Sequence, residues 1–155
     1  MNKFFKTAFL TGLFVGTTDM ISAFINSYVR SGKFASQMFN YIAAGMLGVE
    51  KALKGGTATA FLGLFFHYFI ACAFTFFFFW IYPRIKFLAF NKYLIGMLYG
   101  VFVSTVVDQV ILRFTPLGAF PFNLADYYLN WVIFGVIFGI PIVYNAYKYY
   151  GTGQS

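Results

Sequence analysis

Four apolar runs, at residues 7–29, 57–82, 93–114 and 127–147, leave this chain little choice of fold. A helix rises 1.5 Å per residue, so about 20 apolar residues cross the roughly 30 Å hydrocarbon core of a bilayer. The second run is the longest, and its overhang implies tilt or a helix end standing above the bilayer. Strands of a membrane barrel would be shorter and would alternate in polarity, which residues 74–79 do not. Composition agrees: 61% of the 155 residues are hydrophobic and 10% charged, with a mean hydropathy of +0.75. A soluble domain needs about 25% charged residues to keep its surface wet. The expected architecture is all-α, a single polytopic membrane domain over residues 1–155 with four transmembrane helices.

The connectors refine that expectation. Between the first two runs, Phe34, Met38, Ile42, Met46 and Val49 recur at helical spacing, while Ser36, Gln37 and Asn40 fall elsewhere on the wheel. A short amphipathic helix at about 34–52 is expected, lying in the interface or capping the bundle, and Gly55-Gly56 ends it. An ordered connector without a ligand outweighs a functional lid. The third connector carries Pro116, Gly118 and Pro121 and therefore turns. Asn123 is placed to cap the fourth helix, with Asp126 favoured in its first turn by the helix dipole. Lys3 and Lys6 ahead of an apolar stretch resemble a signal peptide. Thr17, Thr18 and Asp19 interrupt that stretch and no small-x-small site follows Ser22, so the first helix is expected to stay uncleaved.

Orientation rests on Lys and Arg in short loops. With the N-terminus inside, Lys3, Lys6, Arg84, Lys86, Lys92 and Lys148 lie in the cytoplasm, against Arg30, Lys33, Lys51, Lys54 and Arg113 outside. The cluster Pro83-Arg84-Ile85-Lys86 and the basic N-terminus tip this narrow balance towards cytoplasmic termini. The net charge of +7 arises from these helix-flanking residues, so the partners expected are the bilayer and its anionic headgroups rather than nucleic acid. A second copy of the chain or a membrane partner protein is the other expected partner. Trp80, Tyr82, Tyr127, Tyr128, Trp131, Tyr147, Tyr149 and Tyr150 fall near helix ends, where an aromatic belt would anchor. The phenylalanines read mostly as lipid-facing filler.

Small residues recur every fourth position. Gly12 and Gly16 stand in the first run, Thr59, Gly63, His67, Ala71 and Thr75 in the second, Gly96, Gly100, Ser104 and Asp108 in the third, and Gly135 and Gly139 in the fourth, ahead of a kinking Pro141. Such stripes let backbones approach closely where lipid supplies no hydrophobic drive. The ionisable residues Asp19, His67 and Asp108 share these stripes. A charge in hydrocarbon costs roughly 3 kcal/mol on insertion scales, so these three face the bundle interior and form a candidate polar cluster in its outward half. Asp108 and Arg113 are five apart, a poor intrahelical pair, which leaves Arg113 to reach the interface.

Two readings of the cluster compete. It fixes helix register, or its groups exchange protons along a transport path. One His and one Cys exclude the usual zinc and disulfide sets within the chain, so no metal and no cofactor is expected. Ser104 sits mid-helix rather than on a nucleophile turn, and the glycines recur at packing intervals rather than in a phosphate loop. No catalytic residue emerges.

The stretches Gly63-Leu64-Phe65-Phe66-His67, Tyr82-Pro83-Arg84-Ile85-Lys86 and Gly96-Met97-Leu98-Tyr99-Gly100, with Pro116-Leu117-Gly118 and Pro121-Phe122-Asn123-Leu124 beyond, resemble the YagU-type family of small bacterial inner-membrane proteins. The likeness covers about two-thirds of the chain. It implies a bacterial inner membrane and lends no catalytic residues. The expected function is a non-enzymatic integral membrane protein that supports the envelope or a partner complex. The alternative is a small proton-linked transporter or channel, working through the Asp/His cluster; an intramembrane enzyme is a distant third.

Overall fold

The computed structural model describes residues 2–32, 37–116 and 124–151. The chain is all-α. Four helices are long and apolar enough to span a membrane, at Lys3–Val29, Gly56–Arg84, Lys92–Phe114 and Tyr128–Gly151, and a shorter apolar helix lies between the first two. In chain order the helices are α1 (Lys3–Ser31), α2 (Met38–Leu47), α3 (Val49–Lys54), α4 (Gly56–Ile81), α5 (Lys92–Thr105), α6 (Leu124–Phe134) and α7 (Ile140–Gly151). α5 runs on through a π-helical turn at Val106–Ile111, and α6 joins α7 through another at Gly135–Gly139.

Local chemistry sets the ends. Asn2 accepts from Phe4 N at 3.3 Å to cap α1, and Asn91 accepts from Tyr93 N at 3.0 Å and Leu94 N at 3.2 Å to cap α5. Arg84 stacks its guanidinium 4.1 Å over the Trp80 ring and donates to the Trp80 carbonyl, placing a cation at the C-terminal end of α4. The connector between α1 and α4 is broken into two helices. Gly48 has φ +81, a left-handed value open to glycine, and it separates α2 from α3. Phe34, Ser36, Gly118, Pro121 and Asn123 lie outside the described residues, as does the side chain of Asp126.

Large apolar side chains face outward while several hydroxyl side chains are buried. Phe61, Phe65 and Phe69 are 60–67% exposed along one ridge of α4, whereas Thr59, Thr75 and Ser104 are at most 7% exposed. Water would reverse that arrangement; lipid does not. The buried hydroxyls are satisfied locally, as where Thr75 donates to Ala71 O at 2.8 Å. Two aromatic expectations need correcting. Phe78, Phe79 and Phe138 are core residues rather than lipid-facing filler, and Tyr82 is 7% exposed rather than part of a belt. Tyr150 stacks on Tyr82 at 5.5 Å and donates to Phe79 O at 2.7 Å, fastening the end of α7 to the end of α4. Phe4 meets Tyr149 at 6.2 Å, so the first and last described helices have their free ends at the same end of the bundle.

Glycines set the helix pairing. A Cβ on Gly12 would lie 2.9 Å from Cys72 Cα, and one on Gly16 3.2 Å from Ala71 Cβ, so α1 lies directly on α4. On Gly96 it would lie 2.6 Å from Ile140 Cα, and on Gly100 it would overlap the Gly135 backbone. On Gly135 it would meet Met97, and on Gly139 it would overlap Gly96 O. α5 is thereby locked to the fourth span. Gly63 faces neither set: a Cβ there would overlap Phe39 O of α2. The bundle is two tight pairs, α1 with α4 and α5 with α6–α7, with α2 laid on α4.

Gly139→Ala should lower stability by about 1–3 kcal/mol, the usual range for overpacking. Gly151→Ala, whose Cβ would meet nothing within 4 Å, should not. Thermal unfolding of the two variants in detergent micelles compares them; equal stability would contradict the α5–α7 contact.

Candidate functional site

The glycine contact between α1 and α4 brings polar groups together. With no Cβ on Gly16, α4 comes close enough for His67 Nε2 to reach Gly16 O at 2.8 Å. A carbonyl only accepts, so Nε2 carries the hydrogen and donates it to Gly16 O. One residue along each helix, Thr17 Oγ1 and Tyr68 OH stand 2.9 Å apart. Thr17 spends its hydrogen on Leu13 O at 2.8 Å, so Tyr68 donates to Thr17. Two adjacent polar ties thus fix the register of α1 on α4.

Asp19 follows on α1 beyond Gly16 and Thr17. It is half-buried, lies within electrostatic range of the His67 imidazole, and shares with it the wall of a cavity of about 480 Å³. Among the described residues it has no hydrogen bond or ion pair. Apart from these two groups the wall is almost wholly apolar, with Met38, Tyr41, Ile42 and Met46 from α2, Phe66 and Ile70 from α4, Val103, Val107 and Ile111 from α5 and its π turn, and Phe134 and Phe138 from the fourth span.

The cavity follows from the pairing. α4 and α5 belong to different pairs and barely approach one another. They are bridged by Tyr99, which donates to Phe74 O at 2.6 Å and packs its ring 4.5 Å from Phe78. Past that bridge, towards His67 and Val107, they leave a gap. Both π turns border it, since Val107 and Ile111 lie on one and Phe138 on the other. A π turn takes more residues per turn than an α-helix and recurs at functional sites. In the fourth span it has a visible cause: Pro141 has no N–H for Ile137 O, and its ring crowds that carbonyl. The distortion appears as a π turn before the proline.

Asp108 stands apart. It does not line the cavity, and it accepts from Ser104 Oγ at 3.3 Å. It continues the stripe Gly96–Gly100–Ser104, whose glycines face the fourth span, whereas the stripes of Asp19 and His67 face each other. Periodicity identifies an inward face but not which partner it meets. The structure therefore joins Asp19 and His67, and gives Asp108 a neighbour on its own helix. Arg113 is exposed.

The sequence reading also misplaced Asn40. Assigned to a polar face, it is 6% exposed, and its Nδ2 donates to Ala52 O and Gly56 O at 3.0 Å each. That bridge ties α2 to the start of α4 and holds the cavity wall in place. The wall residues of α2 repeat every fourth position, a pattern legible in sequence; those on α5 and α6 carried no signal beyond being apolar. Among the described residues no group of three or more His, Cys, Asp or Glu side chains is placed to hold a metal.

Fold and site define a multi-pass α-helical membrane protein with a cavity between its helices carrying an acid and an imidazole. No protein-family model matches the chain, and no curated protein or solved structure is recognisably similar to it.

Asn40→Leu should remove both of these hydrogen bonds and free α2. Unfolding should show a loss of about 1–3 kcal/mol, and hydrogen exchange should rise selectively over residues 38–47. Unchanged protection there would mean that α2 is held by something else.

Proposed function

We propose that the chain is a small non-enzymatic protein of the bacterial inner membrane, with both termini in the cytoplasm, that links proton binding at Asp19 and His67 to what occupies its cavity. It works as a proton-linked transporter or channel. The observation that carries this reading is the cavity itself. Its volume of about 480 Å³ lies within the range of small-molecule sites, about 300–1,000 Å³. A mostly apolar wall, whose other polar residues among those described are Tyr41 and Thr115, holds one carboxyl group and one imidazole, and ionisable groups at membrane depth are costly enough to signal use. The bacterial location rests on the resemblance to the YagU-type family, and the orientation on the balance of Lys and Arg.

The second reading is a supporting protein for the envelope or for a partner complex. The His67–Gly16 and Tyr68–Thr17 ties favour it, because they serve helix register without any ligand.

Proteoliposomes loaded with a pH-sensitive dye distinguish the two. A proton-linked protein relaxes an imposed pH gradient several-fold faster than protein-free vesicles, and Asp19→Asn returns the rate to that background. A rate equal to empty vesicles under every gradient, with function in cells retained by Asp19→Asn, would leave the supporting role.

A further inference from the structure

The lining of the cavity also specifies the charge of its ligand. Among the described residues Asp19 has no hydrogen bond or ion pair, and none of those lining the cavity is Lys or Arg. The groups that face Asp19 across the space can be taken element by element. α2 offers Tyr41, and α4 offers His67, whose Nε2 hydrogen is committed to Gly16 O. Among the described residues, α5 with its π turn and the fourth span line the cavity with apolar side chains and no ionisable one. An anionic ligand would meet a carboxyl group and no fixed cation. A neutral ligand would leave the carboxyl group protonated and would gain no charge attraction from the carboxylate. A cation would pair with it, and Tyr41, Phe66, Phe134 and Phe138 supply aromatic rings suited to an organic ammonium.

We propose that the cavity takes a compact apolar organic cation, an aromatic or alkylated ammonium, with its charge at Asp19, and that this cation and the site's proton displace one another. The inference rests on the proton-linked reading above and names its ligand class. The exchange balances in charge. Without ligand, the Asp19 carboxyl group holds one proton. When the cation enters, that proton leaves and the net charge of the site is unchanged.

Purified protein in lipid nanodiscs is titrated with benzyltrimethylammonium, a quaternary cation that cannot itself lose a proton. Neopentylbenzene, its neutral isostere, is the control. The cation should bind saturably and the isostere much more weakly. Affinity should rise with pH by up to about tenfold per unit while the site remains protonated, because a proton competes for the carboxylate. In weak buffer about one proton should be released per cation bound, and Asp19→Asn should weaken binding by at least about thirtyfold. Should that variant fail to fold, the wild-type pH series and proton count decide alone. Equal affinity for the isostere, no saturable binding of the cation, or affinity flat across pH overturns the proposal. If the cation fails to bind while proton flux through Asp19 persists in liposomes, the ligand class falls and the proton-linked reading stands. If the cation binds at Asp19 without releasing a proton and no flux is found, the exchange and the proton-linked reading both fall.

Discussion

Backbone-to-backbone approach at glycine is the constraint on which the rest of this bundle depends. In lipid, two apolar helices gain nothing by hiding side chains from water, so association must come from close packing and from polar ties. Gly12 and Gly16 allow α1 onto α4, while Gly96 and Gly100 interlock with Gly135 and Gly139 to hold α5 against the fourth span. Each contact fixes more than distance. Gly16 exposes the carbonyl that receives His67, so one glycine both sets the helix spacing and orients the imidazole.

Pairing of this kind creates space as well as closing it. Two tightly joined pairs cannot also interlock along every remaining seam, and the seam between α4 and α5 is left to side chains. Tyr99 closes it at one level through Phe74 O and Phe78, and beyond Tyr99 it opens into the cavity. The π turns at 106–111 and 135–139 lie on this opening, one in each helix of the second pair. α2 supplies the remaining wall, held by Asn40 and by its close approach to Gly63. An apparent connector thereby becomes part of the site.

Much of the fold was legible in the sequence because membrane helices obey two strong rules, length and apolarity. Stripes of small residues disclosed the inward faces for the same reason. What the stripes could not disclose was their pairing. Asp108 and His67 sit on stripes of the same spacing, yet one stripe meets the fourth span and the other meets α1, so the expected cluster of three became a pair and a separate Asp108–Ser104 contact. Asn40 was misplaced by a related ambiguity. A polar residue on an amphipathic helix can face water or can satisfy buried carbonyls, and composition is the same in both cases. The π turn at 106–111 had no signal at all, whereas Pro141 announced a distortion in the fourth span without specifying its kind.

The separation of Asp108 bears on how Asp19 can work. Two carboxyl groups in one apolar cavity would repel when both were ionised, and one would be held protonated by the other. By partnering with Ser104 on another face, Asp108 is removed from that coupling, and among the described residues the charge facing Asp19 is that of His67. His67 in turn has one nitrogen committed to Gly16 O, so α1 orients the imidazole beside the cavity. A site with so few protonation states responds to one change at a time. Under the proton-linked function proposed above, that economy would let a single bound charge or a single proton change the charge of the whole site.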